Sequence, residues 1–300
     1  MEERQTCDLA GIWRFEIDKE DRGFAEHWEK RRLTQTITLP GCLQAQGYGD
    51  AISEDTPWVQ SLYDALWYQR GEYAYAQENG TKVPFLSPPP RHYTGKAWYQ
   101  KTIFVPEKSD GFVGRLALEN TKWKTTLWID GECKGSIVSL CAPHVYETGA
   151  LSAGEHTVTL CIDNGWQLPY RPDGHGVSDA LGATWNGVAG AITLELFNRV
   201  WIERVWVNAQ LPKATIKVYL KNETSDTQNC IVRVQDIART DISAKMICVL
   251  TPGSQTCELT LNYPSETPLW DEFDQGLQHL IVTLSYISNA LQGEMQSSIT

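Results

Sequence analysis

Short segments in which apolar and polar residues alternate recur along this chain, and they limit the folds it can adopt. In the first half they include Leu9–Ile17, Thr34–Leu39, Trp98–Val105 and Thr157–Ile162. A period of two places every second side chain on the same face of a β-strand. Turn signals separate the segments, such as Pro40-Gly41 and the Asp130-Gly131 pair typical of a two-residue hairpin. Short strands with frequent turns predict an all-β sandwich.

The alternating pattern continues after Phe197-Asn198-Arg199, but tryptophan becomes scarce there. Five strands are predicted in this last part, around Val205–Val207, Ile216–Leu220, Cys230–Val234, Cys257–Leu261 and Leu280–Leu284. Five strands in about 100 residues match the size of an immunoglobulin-like sandwich. No Pro-rich or Ser-rich linker precedes them. The sequence therefore predicts two directly packed domains, residues 1–199 and residues 200–300.

Charge and hydropathy exclude two classes of partner. The chain has a formal net charge of −11 and no basic cluster, so a nucleic acid is not expected. Its apolar runs are shorter than the ~20 residues of a membrane-spanning helix. The acidic start, Met1–Gly11, lacks the basic segment and apolar core of a signal peptide. If Met1 is the native start, a cytoplasmic location is expected.

The eight cysteines predict neither a metal site nor a cofactor. They form no C-x-x-C pair, and their spacings fit no zinc pattern. Cys161, Cys230 and Cys257 lie in alternating segments, which favours small buried side chains and reduced thiols. Cys141 and His144 are possible ligands at a short spacing, but no second pair accompanies them. We expect His144 to be a buried, hydrogen-bonded histidine.

A long polar loop between two predicted strands is the strongest candidate for a binding site. About 28 residues between Ile162 and Ile192 are too rich in Gly, Pro, Asp and Asn for regular structure. They include Trp166, Tyr170 and Trp185, and aromatic residues are scarce in disordered segments. Aromatic faces can stack on a sugar ring, and amides or carboxylates can bind its hydroxyl groups. The alternative is a structural connection whose aromatic side chains plug one end of the sandwich.

Several motifs, in a fixed order, carry a resemblance to a known family. They are LAGIWRFEID, EDTPWVQSLYD, HYTGKAWYQKTIFVP, WIDGECKG, CAPHVYETGALSAGEHTVTLCIDN, TWNGVAGAITLEL and PLWDEFD. Over nearly its whole length the chain resembles the N-terminal part of a glycoside hydrolase family 2 enzyme, of the β-galactosidase and β-glucuronidase group. The resemblance implies a jelly-roll (galactose-binding-like) sandwich followed by an immunoglobulin-like sandwich.

In that family a third domain, a TIM barrel, carries the catalytic glutamates. A barrel needs about 250 residues, so none is expected within this sequence, which would then be a fragment or a truncated product. Loops of the first domain reach over the barrel and complete the pocket for the terminal sugar. Residues 84–95 and 173–186 occupy the corresponding positions. The substrate-binding candidates are Arg91, His92 and Tyr93 in the first stretch, and Asp179, Trp185 and Asn186 in the second.

These candidates have alternative structural roles. Asp179 or Asn186 would bind sugar hydroxyls and Trp185 would stack on the ring. Trp185 is also typical of a core anchor, however, and Asn186-Gly187 is typical of a tight turn. This chain also has Ala189 and Ala191, where β-galactosidases carry larger residues.

The chain is not expected to catalyse hydrolysis alone. A retaining glycosidase needs two carboxyl groups about 5 Å apart. Here Asp173-Gly174 is typical of a turn, Asp179 of a cap, and Glu195 of a strand. We expect a non-catalytic part of a β-glycosidase for terminal β-linked sugars, with carbohydrate and the barrel domain as partners. Two alternatives stay open: a free-standing lectin-like module, and a scaffold that mediates contacts in a homo-oligomer and binds no sugar.

Overall fold

The computed structural model describes residues 4–52, 56–57, 90–167, 184–288 and 293–299. Apart from strands, the regular structure within these ranges is limited to three short 3-10 helices, Trp28–Lys30, Gln44–Gln46 and Glu107–Ser109. The predicted all-β fold class, with one β-sandwich followed by another, is confirmed. None of the helices in the described ranges is long and apolar enough to cross a membrane.

The first sandwich consists of a six-stranded antiparallel sheet, a four-stranded sheet and a short two-stranded ladder. Its strands are β1 (Arg4–Asp8), β2 (Gly11–Asp18), β3 (Gln35–Leu39), β4 (Gly41–Cys42), β5 (Lys96–Val105), β6 (Phe112–Leu118), β7 (Lys124–Ile129), β8 (Glu132–Val138), β9 (His144–Leu151), β10 (Gly154–Asp163), β11 (Gly187–Val188) and β12 (Ile192–Phe197). The six-stranded sheet has the order β3-β2-β5-β10-β7-β8, the four-stranded sheet has the order β1-β12-β6-β9, and β4 pairs with β11.

Alternation along the strands decides which side chains form the core of this sandwich. In β2, Trp13 and Phe15 are fully buried, whereas Ile12, which precedes Trp13, is 70% exposed. The predicted hairpin between β7 and β8 is also confirmed. Asp130 and Gly131 have φ values of 51° and 80°, the left-handed pair that a type I′ turn requires. The sequence pattern therefore predicts both the inward face of β2 and the turn between β7 and β8.

The charged segment after β2 forms a packed loop on the outer face of the six-stranded sheet. Trp28 and Leu33 pack there with Trp98, Trp128 and Cys161. The rings of Trp98 and Trp128 stack with centroids 5.0 Å apart. This loop contains one short 3-10 helix, Trp28–Lys30.

The second sandwich has seven described strands rather than the five predicted. They are β13 (Val200–Gln210), β14 (Lys213–Asn222), β15 (Gln228–Asp236), β16 (Ser243–Leu250), β17 (Gly253–Asn262), β18 (Leu280–Ser288) and β19 (Gly293–Ile299). Their sheets have the orders β13-β14-β17 and β16-β15-β18-β19. β16 and β19 were missed because neither shows clear alternation. In β16, Ile247 and Val249 are 75% and 56% exposed, so apolar side chains lie on both of its faces.

The chain divides into two compact units. One comprises residues 6–110 and 114–195, called the first unit here, and the other comprises residues 1–5, 111–113 and 196–300. The second unit has its own apolar core, which includes Ile216, Val232 and Leu284. The assignment of residues 1–199 and 200–300 to two named domain types stays a prediction.

The cysteines occupy the positions that the alternation predicts. Cys161, Cys230 and Cys257 are 3%, 0% and 5% exposed, which confirms them as small buried side chains. All eight cysteines are free thiols.

Candidate functional site

Asn186 lies where four segments of the first unit meet, and its side chain is fully buried. Its Nδ2 donates to the carbonyl oxygens of Gly95 at 3.0 Å and Ile162 at 2.9 Å. Its Oδ1 accepts a hydrogen bond from the Tyr99 hydroxyl at 2.6 Å. The main-chain N–H of Leu43 donates to the Asn186 carbonyl at 2.9 Å. A sugar would reach this amide only by displacing one of these bonds, so its contact with a ligand stays a prediction.

Gln44 and Asn164 extend this arrangement, and we call Gln44, Asn164 and Asn186 the amide cluster. Gln44 Nε2 donates to the carbonyl oxygens of Tyr93 and Thr184, both at 3.3 Å. Asn164 Nδ2 donates to the Tyr93 carbonyl at 2.9 Å and to Thr184 Oγ1 at 3.1 Å. Asn186 N–H donates to Gln44 Oε1 at 3.2 Å. Because these buried amides replace water as partners, they fix the relative positions of the segments that carry them.

Two buried tyrosines border the amide cluster. Tyr99 donates to Asn186, and the Tyr93 hydroxyl donates to the carbonyl of Lys96. Burial raises the pKa of both phenols. Each therefore stays neutral and acts as a hydrogen-bond donor at physiological pH, not as a base.

Neither Gln44 nor Asn164 was among the predicted site residues. Asn164 lies two residues after Ile162, the end of the predicted strand, and an asparagine near a strand end is a weak sign of a structural amide. Gln44 follows Pro40-Gly41 in a stretch without periodicity, and nothing in the sequence there indicates burial.

The predicted tight turn at Asn186-Gly187 is wrong. Gly187 pairs with Cys42, and Val188 with Gly41, in the ladder between β11 and β4. Gly187 has a φ of 136°, and a Cβ added to it would lie 2.3 Å from the carbonyl oxygen of Gly41. Only glycine allows the two backbones to come this close. The ladder holds Asn186 next to the loop that carries Gln44.

Two tryptophans near the amide cluster keep part of their surface exposed. Trp185 is half-buried, and the Nζ of Lys122 lies 5.7 Å from the centre of its ring. Trp166 is half-buried and packs edge-on against the buried Trp123, with ring centroids 5.0 Å apart. Both can offer a ring edge or face to a sugar. Trp166 was not selected from the sequence, although the aromatic content of its loop pointed to it.

The remaining candidates of the first stretch precede β5. Arg91 is half-buried, whereas His92 and Tyr93 are each 4% exposed. The backbone of His92 pairs with that of Asp50 through hydrogen bonds of 2.8 and 2.9 Å. Of the three, Arg91 has the most accessible side chain. Their contacts with a substrate stay predictions.

The carboxylates considered for catalysis do not form a pair among the described residues. Asp173 and Asp179 lie outside those residues. Glu195 lies in β12 between the buried Leu194 and Leu196, so it is the strand residue that the sequence predicts.

His144 is fully buried, as predicted. Its Nδ1 is 2.5 Å from Thr125 Oγ1, and its Nε2 is 3.1 Å from the Ser139 carbonyl. Both ring nitrogens therefore bind protein atoms. Within the described ranges, no group of three or more His, Cys, Asp or Glu residues could hold a metal ion.

Comparison with known proteins finds similarity to β-glucuronidases. No family model matches the chain. A curated β-glucuronidase from Paenibacillus borealis is 26% identical over 170 residues, which are 55% of this chain and 22% of that protein. The chain thus spans about a fifth of the length of this relative.

Solved structures match over almost the whole chain. A β-glucuronidase from Bacteroides uniformis matches 99% of it with a TM-score of 0.66 and 14% identity, over 32% of that structure. A β-glucuronidase from Ruminococcus gnavus, in complex with D-glucuronic acid, matches 100% of it with a TM-score of 0.61 and 15% identity, over 46% of that structure. A β-glucuronidase from an uncultured Clostridium sp. matches 99% with a TM-score of 0.60 and 15% identity, over 45% of that structure.

At these identities the structures establish the fold. The sequence motifs and the structural matches agree, because both indicate the N-terminal part of the same group of enzymes. The chain resembles the N-terminal, non-barrel part of glycoside hydrolase family 2 β-glucuronidases.

Proposed function

We propose that this chain is the non-catalytic part of a family 2 β-glycosidase and that it shapes the substrate pocket of a catalytic barrel. Residues 1–199 would be its jelly-roll sugar-binding domain and residues 200–300 its immunoglobulin-like domain. The observation that carries the proposal is the match of 99–100% of the chain to β-glucuronidases that are more than twice as long. The catalytic carboxylates would then be supplied by polypeptide outside this sequence.

The amide cluster supports this role because it fixes the places from which the predicted pocket loops emerge. The end of the stretch 84–95 includes Tyr93 and Gly95. The Tyr93 carbonyl accepts a hydrogen bond from Asn164, and the Gly95 carbonyl accepts one from Asn186. The stretch 173–186 ends at Asn186 itself. Loops anchored in this way can hold a pocket wall in one position without contacting the substrate through the anchoring residues. In this proposal Asn186 positions the loop, while Trp185 and Arg91 contact the sugar.

A β-linked glucuronide is the substrate that the relatives suggest. One of the matched structures holds D-glucuronic acid. A guanidinium such as that of Arg91 can bind a sugar carboxylate through two parallel hydrogen bonds. The alternative of a free-standing lectin-like module differs from this proposal in one respect: it requires binding without a catalytic partner.

The test uses the polypeptide that carries this sequence in its native form, together with the isolated 300-residue chain. The gene is read downstream of codon 300 for a barrel with two glutamates, and both proteins are assayed on 4-nitrophenyl β-D-glucuronide. The expected result is turnover by the longer protein and none by the isolated chain. Trp185→Ala in the longer protein is expected to raise KM more than it lowers kcat.

Two outcomes would contradict the proposal. One is turnover by the pure 300-residue chain. The other is a native protein that ends without a barrel and binds glucuronic acid in a calorimetric titration, which would establish the lectin-like alternative. Absence of both turnover and binding in the native protein would favour a scaffold.

A further inference from the structure

A cavity of about 720 Å³ lies on the first unit, on the outer face of the six-stranded sheet. Its floor includes Arg14, which pairs with Thr36 on β3 and with Gln100 on β5, so the three side chains share a face. Tyr99, the neighbour of Gln100, points to the opposite face and bonds Asn186. The cavity is therefore separate from the amide cluster. We call it the basic groove.

Positive charge is concentrated in this groove. Five cationic residues line it, namely Arg14, Lys30, Arg31, Arg32 and Lys101. The whole chain, in contrast, has a net charge of −11. A local field of this sign in a recess attracts anions that the rest of the surface repels.

The two carboxylates that line the groove already have partners. Glu29 is 2.9 Å from His27 Nδ1. Asp130 is 2.6 Å from His156 Nδ1, and it accepts a hydrogen bond from the Thr157 N–H at 2.7 Å. The five cationic residues outnumber these two carboxylates, so the lining keeps an excess of positive charge.

Three of the five cations are held in place by the protein. Arg14 Nη1 donates to the Leu33 carbonyl at 3.2 Å. Arg31 bonds both carboxylate oxygens of Glu16, with distances of 2.6 and 3.0 Å. Lys101 Nζ donates to the carbonyl oxygens of Ala10 and Ile12, both at 3.2 Å. Arg14 and Lys101 bond neutral carbonyl groups and keep their charge in fixed positions, whereas Glu16 offsets the charge of Arg31.

The other two cations are free to bind a ligand. Lys30 and Arg32 are exposed, and neither side chain forms an ion pair or hydrogen bond in the described part of the chain. They lie on the loop that closes one side of the groove. Two exposed cations beside Arg14 and Lys101 are suited to pair with an anionic ligand.

The rest of the lining indicates the class of anion. Thr36, Thr102 and Thr157 contribute hydroxyl groups, which pair with hydroxyls. The Gln100 amide is buried and already bonds Leu33, Arg31 and Thr159, so it serves to build the floor. Ile12 is 70% exposed and lines the same groove, so it offers an apolar contact for the C–H face of a ring. The volume lies within the range of about 300–1,000 Å³ that is usual for small-ligand sites. A bare phosphate or sulfate ion would leave most of this lining unused.

We propose that the basic groove binds a carboxylate-bearing oligosaccharide. Its carboxylates would pair with Lys30 and Arg32, and its hydroxyls with Thr36, Thr102 and Thr157. This site needs no catalytic partner and does not depend on the proposed function. It would let the first unit hold an acidic glycan away from the predicted substrate pocket.

The experiment is a calorimetric titration of the whole chain with three probes: tetragalacturonic acid, neutral maltotetraose and inorganic phosphate. The test variant is Lys30→Gln/Arg32→Gln. The matched control is Arg22→Gln/Lys108→Gln, which removes the same charge from exposed residues that do not line the groove. Circular dichroism checks that both variants fold.

We expect the wild type to bind tetragalacturonic acid. It should bind maltotetraose and phosphate at least tenfold more weakly than this acidic probe. The test variant should weaken binding of the acidic probe about tenfold, since each charge-assisted bond contributes up to a few kcal/mol and 1.4 kcal/mol is tenfold. The control variant should keep the affinity for the acidic probe within about twofold of the wild-type value. Salt near 0.5 M should weaken binding of this probe to the wild type.

Other results would overturn the proposal. They are the absence of binding by any probe, an equal loss in the test and control variants, and phosphate binding as tight as that of the acidic saccharide. The last would identify a simple anion site. Loss of glucuronide turnover has no bearing on these outcomes, so this inference and the proposed function fail separately.

Discussion

His144 and His156 lie in the same unit, and their surroundings favour opposite charge states. Nε2 of His156 is 2.8 Å from the Ser152 carbonyl, and its Nδ1 is 2.6 Å from the Asp130 carboxylate. Both partners are acceptors, so both ring nitrogens must donate and the protonated ring is favoured. Burial opposes the charge, but the bonds to Ser152 and Asp130 outweigh it and raise the pKa of His156.

Burial favours the neutral ring of His144 and outweighs its hydrogen bond to Ser139, which acts in the opposite direction. Its Nε2 donates to the Ser139 carbonyl, so its Nδ1 accepts from the Thr125 hydroxyl. Burial lowers the pKa of this histidine.

Opposite effects of pH on stability follow from these shifts. A raised folded pKa stabilises the fold below the unfolded value of 6.5, and the effect is lost as pH rises through the folded pKa. A lowered folded pKa destabilises the fold as pH falls below 6.5, since only the unfolded chain then takes up the proton. His156→Gln should therefore cost more stability near pH 5.5 than near pH 8.5, and His144→Gln should cost more near pH 8.5.

Urea unfolding at both pH values measures these costs, and each variant serves as the control for the other. If both variants lost the same stability at both pH values, the assigned charge states would be wrong.

Asn186 shows what a single residue type could and could not reveal. An amide next to an aromatic residue in a polar loop suits both a sugar contact and a buried anchor. The sequence gives no sign of the Gly95 and Ile162 carbonyls that fill its donors, because both lie far from it along the chain. For His144, by contrast, a buried and hydrogen-bonded ring was expected from the sequence, and its burial is confirmed.

Among the elements, the short ladder of β4 and β11 is the one most sensitive to a single added methyl group. A Cβ on Gly187 would lie 2.3 Å from the Gly41 carbonyl oxygen and 3.0 Å from Cys42 Cα. Both are backbone atoms, so the ladder itself would have to move. We expect Gly187→Ala to lower the free energy of unfolding by about 2–4 kcal/mol.

Gly149→Ala is the control for this substitution. Gly149 also has a positive φ, of 77°, but an added Cβ would have no neighbour within 4 Å. Gly149→Ala should lower the free energy of unfolding by only about 1 kcal/mol, because it has the conformational cost of a positive φ without the steric clash. Equal costs in thermal or urea unfolding would show that the close approach of β4 and β11 is unimportant.

Strands with one apolar face were predictable, and strands without one were not. β2, β5 and β10 alternate clearly, and their inward residues are buried as expected. β16 alternates poorly because its apolar side chains lie on both faces, and β4 and β11 are too short to show a period. Those two short strands are the ones that position Asn186. The sequence thus predicted the framework and missed the ladder beside the candidate site.

At the scale of the whole molecule, negative charge and exposed apolar surface act against each other. The segment between β17 and β18 exposes Leu269, Trp270, Phe273 and Leu277 by 60–91%. Exposed apolar residues close together favour association. A net charge of −11 opposes it through repulsion between molecules. Salt screens charge over about 8–10 Å at 0.10–0.15 M and more strongly above that, while leaving the apolar contact intact.

The chain should therefore associate more strongly as salt is raised, and Phe273→Ser should reduce this association. The substitution should change stability by less than about 0.5 kcal/mol, because Phe273 is 91% exposed. Phe104→Ser is the matched control, since Phe104 is 65% exposed but its neighbours Ile103 and Val105 are buried. Sedimentation velocity at about 0.05 M and about 0.5 M salt gives the comparison. Association that fell with salt, or that Phe104→Ser reduced equally, would mean that charge or general exposure drives it, and not this segment.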